Sequence, residues 1–187
     1  MDIAQTKRRE NIAEYILYLW QLEDLLRALQ FSPEAVWSQL VAPRTCDEEQ
    51  RQACWVWYME IVNLLREEGK EQKGHLAHTL HLIADLHDLH TQLLRLPAGE
   101  HYQKTFARLE PALAGLRAAA GEGAAEVSDT ELCFRALYGA MLYRIKGQGE
   151  RSAVNDTVEL VSPVIAELSA IYGKVERGEI DLYKGTE

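Results

Sequence analysis

Seven consecutive residues, Ala53 to Met59, read Ala-Cys-Trp-Val-Trp-Tyr-Met inside a run of helical rather than strand periodicity. On a helical wheel Trp57, Ile61, Leu64 and Leu65 fill one side of this run, and Trp55, Met59 and Val62 fill another. A helix that is apolar around most of its circumference has to be central in a fold or covered by a partner. The stretch from Leu132 to Tyr143 has the same character. So does the first helix, where Ala13, Leu17 and Trp20 lie opposite a stripe running from Ile12 to Leu29. Asn-Gly and Asp-Gly hairpin signals are absent. The pattern predicts an all-α chain, a single compact bundle of about six or seven helices over residues 1–173, with a polar, poorly ordered tail over 174–187.

Caps and breakers divide the chain into seven expected segments. The first runs from Ile3 to Leu29, and Ser32-Pro33 caps and opens a second that ends near Val41. Asp47-Glu48-Glu49 starts the third, and Gly69 ends it. The fourth spans His75 to Leu96 and stops at Pro97-Ala98-Gly99. Pro111 should kink or split the fifth, Tyr102 to Ala120, and Gly121-Glu122-Gly123 then makes a flexible connection. Ser128 and Glu131 form a capping box for the sixth, within which Gly139 is tolerated if another helix approaches closely. Lys146 to Glu150 is a helix stop, and Pro163 should bend the seventh, Ala153 to Tyr172.

With 47% hydrophobic residues in 187, a sizeable core is available. The net charge of −9 disfavours nucleic acid. The one basic cluster, Lys7-Arg8-Arg9, reads as a solvated patch. Three cysteines without a CxxC spacing read as free thiols in a reducing cytosol. The segment from Met1 to Gln5 lacks the charged-then-apolar order of a signal peptide, and no run reaches the ~20 apolar residues of a membrane span. The expected location is cytoplasmic.

Three constellations can carry chemistry. His78, His81 and Asp85 lie within about 60° of one another on the fourth helix. They form either a solvated edge or part of a divalent-metal face, although His78 and Asp85 are about 10 Å apart along the axis and need ligands from elsewhere. Glu23, Asp24 and Arg27 form the second: Glu23 and Arg27, four apart in the favourable order, read as a structural ion pair orienting two helices, the alternative being a Glu23 carboxyl that acts as an acid in an apolar setting. Trp20, Trp55, Trp57, Tyr58, Met59 and Tyr138 read as core, subunit interface or the lining of an aromatic pocket. Nucleophile elbow and P-loop are both absent, and Cys133 sits in an apolar helix unsuited to a reactive thiolate.

Four segments carry a resemblance: Glu10–Arg27 (ENIAEYILYLWQLEDLLR), Lys73–Leu76 (KGHL), Asp85–His90 (DLHDLH) and Cys133–Arg144 (CFRALYGAMLYR). Together the chain resembles an uncharacterised bacterial family known as domain of unknown function 4924. That resemblance implies a small helical cytoplasmic protein and brings no activity, cofactor or catalytic residue. The expectation from the residues is a non-enzymatic protein acting through protein contacts, a homodimer, with no cofactor and no membrane or nucleic-acid partner. The alternatives are a metal-dependent enzyme or sensor on the histidine helix, and a small-molecule binder with an aromatic pocket.

Overall fold

The computed structural model describes residues 2–121, 123–124, 126–147 and 152–182. Among them there is no strand, as the helical periodicity requires. The helices are α1 (Asp2–Glu10), α2 (Ile12–Ala28), α3 (Pro33–Val36), α4 (Glu48–Glu67), α5 (Ala77–Leu93), α6 (Glu100–Leu109), α7 (Leu113–Ala120), α8 (Asp129–Ile145) and α9 (Ser152–Glu176). This exceeds the expected six or seven, for two local reasons. The first segment breaks at Asn11, whose side chain accepts a hydrogen bond from the Ala13 N–H at 3.0 Å and so starts a new helix. Pro111 splits the fifth segment through a 3₁₀ turn, Glu110–Ala112.

The caps act as their residue types dictate. Ser32 Oγ accepts from the Ala35 N–H, Asp47 Oδ1 from the Gln50 N–H and Ser128 Oγ from the Glu131 N–H. After α3 the backbone widens into a π turn, Trp37–Val41. The Pro97–Gly99 segment does more than stop α5. It forms a 3₁₀ turn leading directly into α6, and a Cβ on Gly99 would lie 2.0 Å from the Leu93 carbonyl oxygen. Only glycine allows that approach. Gly139 behaves otherwise: a Cβ there meets nothing within 4 Å, so no helix among the described residues closes on it. α9 continues through Pro163 to Glu176, past the expected end at Tyr172. Residues 148–150 of the expected helix stop, Glu122 of the expected connection and residues 183–187 of the expected tail lie outside the described residues.

The chain divides into two compact units, Met1–Arg9 with Glu14–Leu80, and Glu10–Ala13 with His81–Glu187. The core of the first gathers Leu19, Leu22 and Leu26 of α2, Val36, Val41, and Tyr58, Ile61, Val62 and Leu65 of α4. In the second, α8 packs on α9 and α7, and α6 packs on α9, around Tyr102, Phe106, Leu132, Phe134 and Leu168. Cys54 and Cys133 are buried thiols, and Cys46 is half-buried.

Candidate functional site

In the first unit a polar knot surrounds Glu23, which is fully buried on α2. A buried carboxylate is costly unless its oxygens are bonded. Here Oε2 meets His75 Nδ1 at 2.7 Å, and Oε1 accepts from the Leu76 N–H at 3.3 Å. The His75 ring stacks on Trp20, with centroids 3.9 Å apart and planes 9° from parallel. Trp20 Nε1–H donates to Thr79 Oγ1 at 3.0 Å, and the Thr79 hydroxyl donates to the Leu76 carbonyl at 2.9 Å. Arg27 reaches Asp24 Oδ1 at 2.7 Å and stands 4.0 Å from Glu23 Oε2. Its Nε and Nη2 donate to the carbonyls of Lys70 and Gly74. Glu23 and Arg27 both bond to the 70–76 loop and so form a staple between it and α2. Glu23 and Glu68, which accepts from the Ala77 N–H at 2.7 Å, also satisfy the positive start of α5. The segments Glu10–Arg27 and Lys73–Leu76, which carry much of the resemblance, meet in this staple.

A second knot lies in the other unit. His90 is buried, with Nδ1 2.7 Å from the Tyr102 hydroxyl and its ring edge-on to Phe106. Burial, helped by the nearby His87, pulls the His90 pKa down to about 4. Burial pushes the Tyr102 hydroxyl far above the usual phenol range and the Cys133 thiol up to about 12, with Asp129 adding to the latter. Burial thus favours the neutral form of all three groups at neutral pH. The space lined by His90, Tyr102, Phe106, Cys133, Ile165 and Leu168 does not admit a water molecule.

The metal reading finds no assembled ligand set. His78 is exposed, with Nε2 3.2 Å from the Tyr15 hydroxyl, and His81 and Asp85 are exposed. Among the described residues no three or more His, Cys, Asp or Glu side chains are grouped to hold an ion.

The aromatic set separates by burial. Trp20, Tyr58 and Tyr138 lie inside their units. Tyr58 accepts a hydrogen bond from Arg44 Nη2. Trp55, Trp57 and Met59 are half-buried against the first unit's core. Outside them α4 presents large apolar side chains to solvent: Val56 is 42% and Leu64 43% exposed. Wheel positions alone place Leu64 beside the buried Ile61 and Leu65, so its exposure was not legible. Trp57 borders two shallow hollows. One, of about 490 Å³, is lined by Glu48, Glu49, Gln52, Val56 and Glu60. The other, of about 480 Å³, is lined by Gln5, Arg8, Arg9 and Tyr15. Arg8 and Arg9, read from the sequence as a solvated patch, therefore flank an aromatic surface.

These features define an all-helical protein whose buried Glu23 and His90 are bonded within their own units and whose exposed apolar residues include a pair on one helix face. The chain belongs to the family described as Domain of unknown function (DUF4924), which matches residues 1–179. No curated protein and no solved structure matches it. Among the described residues no helix is long and apolar enough to cross a membrane.

Proposed function

We propose that this chain is a non-enzymatic cytoplasmic protein that works through protein contacts, with the outer face of α4 as the contact surface and a homodimer as the favoured assembly. One observation carries the reading. Val56 and Leu64 lie eight residues apart on one face of α4, both about two-fifths exposed, with Trp57 half-buried beside them. The inner side of the same helix already fills the core with Tyr58, Ile61, Val62 and Leu65. An outer apolar row is therefore surplus to the unit's own packing, and such rows rimmed by polar residues mark interaction surfaces. The inward knots add support, since Glu23, His90 and Tyr102 bond to neighbours within their own units.

The test is a double substitution, Val56→Glu with Leu64→Glu, followed by sizing at native abundance in extracts of the source cells. Wild-type chain is expected in a species larger than its own 21.2 kDa, and the variant at the monomer position with an unchanged melting temperature. A wild-type monomer, or a variant that stays in the larger species, would sink the reading.

A further inference from the structure

We infer that the occupant of this face is a second copy of the chain, related by a two-fold axis that passes through Trp57. The inference rests on the protein-contact reading and adds the symmetry and the charge pairing by which a second copy is recognised.

The surface around Trp57 is polarised. The hollow on one side holds Arg8 and Arg9 of α1. The hollow on the other holds Glu49 and Glu60 of α4, with Glu48, which pairs with Arg51 at 2.9 Å. Arg9, Glu49 and Glu60 are all exposed, whereas Trp57 is half-buried and shared by both hollows. A two-fold contact is self-complementary, because each point on the patch meets the point across the axis on the partner. Rotation about an axis through Trp57 lays the arginine side of one copy over the glutamate side of the other, twice. The two Trp57 rings and the two Val56 side chains then meet at the centre, where aromatic and apolar groups contribute most to association.

At −9 per chain two copies repel at long range, and pairing the arginine side of each with the glutamate side of the other offsets that repulsion at the contact. A partner of uniform charge would meet like charge on one side of Trp57. A second copy matches both sides.

The test is a charge swap read by light scattering on the full chain. Arg9→Glu makes the patch acidic on both sides, and Glu60→Lys removes acidity from the other. Wild type is expected to be a dimer at micromolar concentration. Each variant alone should associate at least tenfold more weakly while melting as wild type, and an equimolar mixture should recover the dimer mass. A wild type that is monomeric, or single variants that dimerise like wild type, or a mixture that stays monomeric, each overturns the second-copy assignment. The wider protein-contact reading fails separately, when the Val56→Glu, Leu64→Glu chain keeps its size in cell extract.

Discussion

At the scale of single residues the interior polar groups decide stability. Glu23 accepts from the Leu76 N–H and holds His75 at 2.7 Å in a buried setting. Glu23→Ala leaves those partners unsatisfied and should cost about 2–4 kcal/mol in urea unfolding, with Glu23→Gln costing less. His90 sets a pH dependence whose sign is fixed. Its pKa is about 4 in the folded chain, against an ordinary value of 6.5. The unfolded chain therefore binds more protons between those limits, and stability falls as pH drops from 6.5 toward 4. Wild type should lose unfolding free energy across that window more steeply than His90→Phe; parallel curves would contradict the assignment. Gln30 and Phe31 close α2 with φ of 53° and 55°, a conformation glycine adopts without penalty. Exposed Gln30→Gly should raise stability by up to about 1 kcal/mol, readable as a higher denaturation midpoint.

At the scale of elements, the sequence announces helices well and their outer faces poorly. Ser32, Asp47 and Ser128 cap helices within a residue of where their side-chain chemistry places them, because capping is a local bond. Pro111 splits its helix for an equally local reason. The Asn11 break has no proline or glycine to announce it, and a single side-chain acceptor is enough to start the new helix. Gly99 was read as a stop, but its role is tertiary: α6 turns so tightly on α5 that no Cβ fits. Gly99→Ala should cost about 3 kcal/mol, the upper end of overpacking penalties, whereas Gly139→Ala, open on its outer side, should stabilise α8 by up to about 1 kcal/mol. The staple is partly legible, as the Glu23 and Arg27 spacing. Its loop partners, His75 and the carbonyls of Lys70 and Gly74, come from some 50 residues away and leave no local signature. Likewise nothing local tells that Trp20 is buried while Val56 is exposed, because both sit in equally apolar runs.

At the scale of the whole molecule, excess apolarity in the central helices has two destinations. Most of it is buried inside the units, Trp20, Tyr58 and Tyr138 included. The remainder is exposed, singly at Leu25 of α2 and Ile145 of α8, and as a group on α4, where Val56, Leu64 and the edge of Trp57 lie between a basic and an acidic side. That remainder connects the fold to the proposed function. The most direct measurement is photo-crosslinking in living source cells, with a photoreactive side chain at position 56 and a control at position 71 in the exposed loop after α4. Position 56 is expected to give a discrete protein adduct, at the mass of two chains, which the control lacks. Cells in which position 56 yields no more adduct than position 71 would contradict the claim that this face is where the protein acts.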